Sequence, residues 1–325
     1  MRKKIRVGLI GTGKHGSRYA RHIIEDVHDR FELTAVSRRS AEGRAQAEGW
    51  GAAYFADWRE LVASPRVDAV IVAATPNLNE EIGSHCVASR KPLLLEKPLA
   101  TDLQQGKRLV AMFEEADLPF TIAQTLRYNC VIKALRDHLP SFGRLYSLFA
   151  CQRLEVSTLP WLAQPEVAGG GVIFHTAVHL FDALRFITGE EVVKIRAVAR
   201  KIFNPRLEDA IVAEILLGNG ALGIVDASKV GPARSGRYEL VCEKGQLHGD
   251  QIHGILEKID GSRVTALPLP PPVPTLVPLL RDWALFLAGK GANPVPAREG
   301  LAAVTICHAA RKSVLSGNWI EIDSL

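Results

Sequence analysis

Short apolar runs alternate with polar or amphipathic stretches through the first 123 residues. We interpret the runs as parallel strands, because a strand covered on both faces is apolar along its whole length. The predicted strands are 5–10, 31–36, 67–74, 92–95 and 119–123. The predicted helices include 41–50, 57–63, 80–89 and 102–116. This alternation predicts an α/β domain over residues 1–123 with a doubly wound parallel sheet.

After residue 123 the pattern changes to alternating apolar and polar residues, which is typical of strands with one buried face. Asn219-Gly220 between two such runs is a strong hairpin signal. The predicted strands are 145–153, 192–199, 210–217, 221–227, 237–243 and 245–251. We therefore predict an α+β domain over residues 124–325 with a large, open, mainly antiparallel sheet. The domain is predicted to end with a stiff proline connector at 268–278, two helices at 279–287 and 298–316, and a short strand at 319–322. The last helix is predicted to pack back on the first domain.

A glycine-rich loop follows the first strand and precedes a predicted helix. Its residues are Gly11, Thr12, Gly13, Lys14, His15 and Gly16. In a dinucleotide-binding loop, glycine at Gly11 permits the tight turn and glycine at Gly13 lets a pyrophosphate approach the backbone. Gly16 allows helix and strand to pack closely, and the helix N-terminus attracts the anion. The plainer interpretation is a structural glycine turn; we expect a dinucleotide site.

The second strand is followed by Ser37, Arg38 and Arg39. A site for NAD usually has an Asp or Glu here for the ribose 2′-hydroxyl, whereas a site for NADP has Arg for the 2′-phosphate. No carboxylate follows the strand directly, so we favour NADP and keep NAD open. The alternative is an exposed basic turn.

The ends of three later strands carry polar residues. In open α/β sheets, ligands bind at the carboxyl ends of the strands. The residues assigned to the cofactor crevice on this ground are Thr75, Pro76, Asn77, Glu96, Lys97 and Gln124. Lys97 is also the first catalytic candidate, because hydride transfer from an alcohol needs a base for the hydroxyl proton.

Composition excludes several classes of protein. The chain has 325 residues, a formal net charge of +5 and a pI near 9.0, but its cations are interleaved with acidic residues. A nucleic-acid surface is therefore unsupported. No stretch approaches the roughly 20 apolar residues of a membrane span. Five dispersed cysteines without a CxxC pair favour reduced thiols and a cytoplasmic protein.

Four motifs together resemble the Gfo/Idh/MocA family of nicotinamide-dependent oxidoreductases: GTGKHG, AATPN, LLLEKPLA and GGGVIFHTAVHLFD. The resemblance implies a Rossmann domain for NAD or NADP and a second domain whose sheet covers the substrate. It implies a homodimer or homotetramer formed through that sheet. By the same resemblance, Lys97 is the lysine that touches nicotinamide ribose and substrate, and His179 is the active-site histidine.

The chain departs from the family pattern at His175, where the family commonly has Asp. His175 and His179 are four residues apart, so they share a face of the predicted helix. A metal site, a core or surface histidine pair, and an active-site role are the three interpretations. Metal is disfavoured because Thr176 replaces the Glu of HExxH and no third ligand is evident. A second departure is Asn79, which we expect only to retune the pocket.

An imidazolium at His175 would lower the pKa of a neighbouring lysine and make the pocket more positive. We therefore expect a substrate with an acidic group, or a proton relay through His175 and His179. The candidate substrate residues are Arg127, Tyr128, Arg153 and Trp161.

The leading functional hypothesis is an NADP-preferring oxidoreductase acting on a sugar, polyol, cyclitol or related hydroxy or oxo compound. One alternative is a dinucleotide-binding regulatory or scaffold protein without turnover. The other is a reductase of an unsaturated substrate such as biliverdin. Fold and cofactor motifs do not choose between substrates, because the pocket residues lie on loops.

Overall fold

The computed structural model describes residues 4–322, which form two compact units. The first unit contains the chain up to residue 124 and residues 274–301. The second contains residues 125–273 and the chain from residue 302 onwards. The chain thus leaves the first unit once and returns to it before its last helix.

The first unit is built on a six-stranded parallel sheet of order β3-β2-β1-β4-β5-β6. Its strands are β1 (Ile5–Ile10), β2 (Phe31–Ser37), β3 (Ala53–Phe55), β4 (Ala69–Val72), β5 (Leu93–Glu96) and β6 (Phe120–Ala123). Its helices up to β6 are α1 (Lys14–Glu25), α2 (Glu42–Gly49), α3 (Trp58–Ala63), α4 (Asn79–Ala88) and α5 (Leu103–Glu115). The predicted doubly wound sheet is confirmed. The strand order reverses between β1 and β4, where such sheets open a ligand crevice.

The returning segment completes the core of this unit. Helix α9 (Leu276–Leu287) buries Trp283 completely and stacks it on Phe31, with ring centroids 5.4 Å apart. Residues 293–296 then run beside β6, where the Ile122 N–H donates to the Val295 carbonyl at 3.0 Å. α9 begins inside the predicted proline connector, because a proline in the first turn of a helix loses no intrahelical hydrogen bond.

The second unit contains a nine-stranded sheet of order β14-β13-β12-β11-β7-β10-β9-β8-β15. Its strands are β7 (Leu145–Glu155), β8 (Val192–Arg200), β9 (Ala210–Leu217), β10 (Leu222–Gly231), β11 (Arg237–Cys242), β12 (Gly245–Asp250), β13 (Ile255–Asp260), β14 (Arg263–Ala266) and β15 (Ile320–Glu321). All neighbours are antiparallel except β7 and β10. The predicted antiparallel sheet is confirmed, including the hairpin at Gly220, whose φ is +87°.

Helices cover one face of this sheet. They are α6 (Cys130–His138), α7 (Pro165–Ala168), α8 (Val178–Thr188) and α10 (Ala297–Ser316), which continues from the first unit. The run Pro165–Thr188 is long and apolar enough to cross a membrane, but 78% of its most apolar window is buried within the protein. It is therefore a core helix. The opposite face of the sheet exposes apolar side chains.

Candidate active site

The three glycines of the loop after β1 have different surroundings. Gly11 has a φ of +86°, and a Cβ there would lie 2.7 Å from the Ala73 backbone. A Cβ on Gly16 would lie 1.8 Å from the Gly11 carbonyl oxygen. A Cβ on Gly13 would meet nothing within 4 Å, and no side chain caps α1 there. The protein itself requires two of the glycines, and the third leaves the open space beside a helix N-terminus that a pyrophosphate needs.

Thr12 anchors this loop and is itself buried. Its hydroxyl donates to Gln46 Oε1, while Gln46 Nε2 and Arg38 Nη1 donate to its carbonyl at 3.1 and 3.3 Å. Lys14 and His15 are exposed at the start of α1. Helix composition predicted α2, but nothing in the sequence pattern identified Gln46 as a partner of the loop.

The end of β2 carries the residues assigned to cofactor choice. Ser37 is buried, and its carbonyl accepts the Gly11 N–H at 2.9 Å. Arg38 forms an ion pair with Glu42 on α2, and Arg39 is exposed. No carboxylate follows β2 directly in the sequence. The first turn of α2 nevertheless places the Glu42 carboxylate against Arg38.

A one-turn 3-10 helix, Pro76–Leu78, follows β4. Thr75 is its N-cap residue, and Pro76 and Asn77 are its first two residues. The buried amide of Asn79 then donates to the carbonyls of Pro98 and Leu99 at 3.1 and 3.2 Å. Asn79 therefore braces the loop that follows Lys97. We expected it only to retune the pocket; its contacts make it a positioning residue instead.

Glu96 ends β5, Lys97 follows it directly, and a cis peptide bond joins Lys97 to Pro98. The Tyr19 hydroxyl on α1 donates to Glu96 Oε1 at 2.8 Å. Burial raises the pKa of the Glu96 carboxyl, while the Lys97 charge and the Tyr19 hydrogen bond oppose that shift. Burial and the charge of Glu96 also raise the pKa of Tyr19. This pair ties α1, which carries the glycine loop, to the residue beside Lys97.

Gln124 follows β6 at the same edge of the sheet and is 1% exposed. Its side-chain oxygen has no hydrogen-bond partner among the described residues. Buried polar atoms are normally paired. The unpaired oxygen is buried at the carboxyl end of β6, and Gln124 stays a predicted contact of the cofactor.

In the second unit, His175 lies in a π-helical segment, Ile173–Ala177, that leads into α8. The helix was predicted, but the π turn was not; such turns are frequent at functional sites. His175 is 7% exposed, its Nε2 donates to the Ala168 carbonyl at 2.9 Å, and its ring meets the edge of Trp161 at 5.4 Å. His179 is partly exposed.

A pocket of about 250 Å³ opens beside His175. The two acidic residues that line it accept hydrogen bonds from the surrounding backbone. Glu208 Oε1 accepts the N–H groups of Gly171 and Ile173, and Asp209 Oδ2 accepts those of residues 202–204. Glu208 thereby fixes the start of the segment that carries His175. Lys229 also lines the pocket, so two carboxylates accompany one ammonium group and the wall has no excess of positive charge.

The remaining candidate substrate residues occupy different places. Arg127 forms a two-point ion pair with the buried Asp182, with Nη2 to Oδ1 at 2.6 Å and Nε to Oδ2 at 3.0 Å. Tyr128 is partly exposed in the same 3-10 turn. Arg153 pairs with Asp226, which points to the sheet face opposite the buried Val225. Trp161 is the fourth of these predicted substrate residues, and its side chain is observed in contact with His175.

The histidine motif does not belong to a cluster of metal-ligand side chains. Within residues 4–322, no three His, Cys, Asp or Glu residues lie together in a way that could hold a metal ion. A zinc site needs at least three protein ligands.

Comparison with known proteins assigns both units. Residues 5–124 match the model described as "Oxidoreductase family, NAD-binding Rossmann fold", and residues 142–248 match the "GFO/IDH/MocA C-terminal domain". The chain belongs to the Gfo/Idh/MocA family of oxidoreductases. The resemblance drawn from the motifs is confirmed. This family membership makes the chain an NAD(P)-dependent oxidoreductase of the dehydrogenase and reductase type.

Relatives in this family act on cyclic polyols and sugars. A myo-inositol 2-dehydrogenase of Thermotoga maritima is 26% identical over 257 residues, which is 76% of each chain. A 1,5-anhydro-D-fructose reductase of Ensifer adhaerens is 26% identical over 82% of this chain and 83% of its own.

Solved structures show the same fold. An oxidoreductase domain protein from Kribbella flavida has a TM-score of 0.90 at 21% identity and covers 99% of this chain and 100% of its own. A levoglucosan dehydrogenase in complex with NADH also has a TM-score of 0.90, at 19% identity and with the same coverage.

Proposed function

We propose that this protein transfers hydride between NADP and a hydroxyl or carbonyl carbon of a neutral sugar, polyol or cyclitol. The observation that carries the proposal is the open space at Gly13, at the switch point of a Rossmann sheet with Lys97 at a neighbouring strand end. Arg38 and Arg39 support NADP, because a 2′-phosphate pairs with arginine.

The nicotinamide, when bound, supplies the hydride acceptor or donor. The protein supplies the remaining groups. Lys97 removes the proton of the substrate hydroxyl in oxidation and returns it to the carbonyl oxygen in reduction. Asn79 holds the Pro98 and Leu99 carbonyls, which keeps the Lys97 backbone in place. Gln124 would be a further contact of the bound cofactor in this proposal.

Two histidines of the second unit are further candidates for substrate binding in this proposal. We propose that His179 hydrogen-bonds the reacting substrate and that His175, whose ring packs against Trp161, lines the pocket. His175 Nε2 is already directed at the Ala168 carbonyl, and the pocket carries two carboxylates. We therefore propose a neutral substrate in place of the acidic one expected from the sequence. The names of the relatives, an inositol dehydrogenase and an anhydrofructose reductase, support the same class.

Parallel titrations with NADPH and NADH, followed by tryptophan fluorescence, test the cofactor. The wild type is expected to bind NADPH more tightly, and the Arg38→Ala/Arg39→Ala double variant to lose about tenfold or more in NADPH affinity, the effect of lost charge-assisted contacts. NADH affinity should change less. Equal losses for both cofactors would contradict the assignment of these arginines to the 2′-phosphate.

We also propose a homo-oligomer formed through the sheet of the second unit. The sheet face away from the helices exposes neighbouring apolar side chains on three strands: Val198, Val212, Leu222 and Ile224, each between 46% and 69% exposed. Exposed apolar side chains gathered on one face of a sheet mark an association site. The pairing of Val198 with Val212 places both on one patch.

Ile224→Asp is expected to dissociate this oligomer, because the substitution buries a charge in an apolar interface. Light scattering after size-exclusion chromatography should show a smaller species than the wild type. Leu315→Asp is the matched control, since Leu315 is 84% exposed on α10 and lies outside the sheet. A wild-type monomer, or an unchanged mass in Ile224→Asp, would contradict the proposed interface.

A cytoplasmic location also remains a proposal. All five cysteines are free thiols, and four are buried: Cys86, Cys151, Cys242 and Cys307. Burial raises the pKa of Cys86 to about 12, so this thiol is inert. Free, unreactive thiols support a reducing compartment.

A further inference from the structure

The side chain of Arg38 is held by the protein itself. Nη1 donates to the Thr12 carbonyl at 3.3 Å and to Gln46 Oε1 at 3.1 Å, and Nη2 donates to the Glu42 carboxylate. The guanidinium therefore spans from the glycine loop to α2. It is fixed in position before any ligand arrives.

Glu42 differs from the other partners of Arg38. Thr12 and Gln46 are buried or half-buried, whereas the Glu42 side chain is 70% exposed and that of Arg38 is 27% exposed. Glu42 stands in the first turn of α2 and its carboxylate also lies 3.5 Å from the Ser40 hydroxyl. An exposed carboxylate can move away from its partner at little cost, because exposed ion pairs contribute about 0–1 kcal/mol.

The two cofactors make opposite demands on this pair. A 2′-phosphate is a dianion that pairs with the Arg38 guanidinium, so it competes with the Glu42 carboxylate there and is repelled by it. A ribose 2′-hydroxyl instead donates a hydrogen bond, which a carboxylate at this place accepts. Arg39 is exposed and has no carboxylate partner among the described residues, so it can add to phosphate binding without displacing an ion pair.

We propose that Glu42 is the residue that sets cofactor specificity, by competing with the 2′-phosphate of NADP for Arg38 and by accepting the 2′-hydroxyl of NAD. The inference rests on the proposed dinucleotide site. Glu42 keeps the preference for NADP small and lets the protein use both cofactors. Arg38 remains in the same position in both cases, because Thr12 and Gln46 hold it.

Glu42→Gln tests the inference, because the amide keeps the size and hydrogen-bonding capacity of the side chain but removes its charge. The dissociation constants of NADPH and NADH are measured for the wild type, Glu42→Gln and the control Glu48→Gln. Glu48 is exposed on the same helix and is not among the hydrogen-bond partners of Arg38 in the described residues. Thermal melting verifies that all three proteins are folded.

The Glu42→Gln substitution is expected to raise the ratio of NADPH to NADH affinity by about tenfold, as removal of one repelling charge close to a phosphate predicts. NADPH binding should tighten and NADH binding should weaken, while Glu48→Gln retains the wild-type ratio. Binding of both cofactors with an unchanged ratio in Glu42→Gln would overturn this inference alone. If none of the three proteins bound either cofactor, the proposed function would fail and this inference with it.

Discussion

Replacing Lys97 by methionine is expected to lower kcat by about 10²–10⁴-fold, the usual contribution of a general acid or base. Methionine keeps the length and packing of the side chain but has no proton to exchange. The dissociation constant of NADPH should change by a much smaller factor, because the proposal assigns most of the cofactor contacts to the glycine loop and the β2 end. Turnover is measured from nicotinamide absorbance with a substrate that the wild type uses.

Lys107→Met is the matched control for this prediction. Lys107 is exposed on α5 and is not among the residues assigned to the site, so its loss should leave both kcat and NADPH affinity unchanged. If Lys97→Met kept most of its turnover, another residue would be the proton donor and acceptor. If it lost cofactor affinity as strongly as turnover, Lys97 would be a binding residue only.

The second prediction separates two glycines of one loop. Gly13→Val should fold normally, because its Cβ meets nothing within 4 Å and its φ of −71° suits any residue. The valine side chain fills the space for the pyrophosphate, so NADPH affinity should fall on the order of 100-fold, or about 2.7 kcal/mol. Titration of the folded variant measures this loss.

Gly16→Ala should show the reverse pattern. Its Cβ would lie 1.8 Å from the Gly11 carbonyl, and relief of that contact must move backbone. We expect a loss of about 3 kcal/mol in the free energy of unfolding, at the upper end of overpacking effects. Gly49→Ala, which meets nothing within 4 Å, is the control for both variants. A stable Gly16→Ala, or a destabilised Gly13→Val, would contradict the roles assigned to these glycines.

The sequence predicted the parts of the site that depend on local pattern. The glycine loop, the apolar strands and the polar strand ends are short segments whose periodicity or turn chemistry is visible in one stretch of chain. Because parallel strands of one sheet end at one edge, the grouping of Gly13 and Lys97 followed from the strands alone. Strand β3 escaped prediction because three residues carry no periodicity.

Pairings between distant segments could not be predicted. The contact of Asn79 with Pro98 and that of Tyr19 with Glu96 depend on how strands and helices pack. Glu208, which fixes the segment carrying His175, is 33 residues away from it in the chain. No local signal distinguishes such a residue from an exposed loop acid. The carboxylate of Glu42 was overlooked for a related reason, since it lies one turn beyond the place where a ribose-binding acid normally stands.

Hydride transfer to or from a nicotinamide is the activity that all of these residue roles serve. The most direct test incubates the wild type with NADP or NAD and a panel of polyols, cyclitols and cyclic sugars that includes myo-inositol and levoglucosan, and measures reduced nicotinamide. We expect the wild type to reduce the nicotinamide with at least one neutral compound of the panel, and faster with NADP than with NAD. Lys97→Met is expected to show no reduction. Tight binding of NADPH without hydride transfer to or from any of these compounds or their oxidised forms would contradict it and favour a regulatory dinucleotide-binding protein.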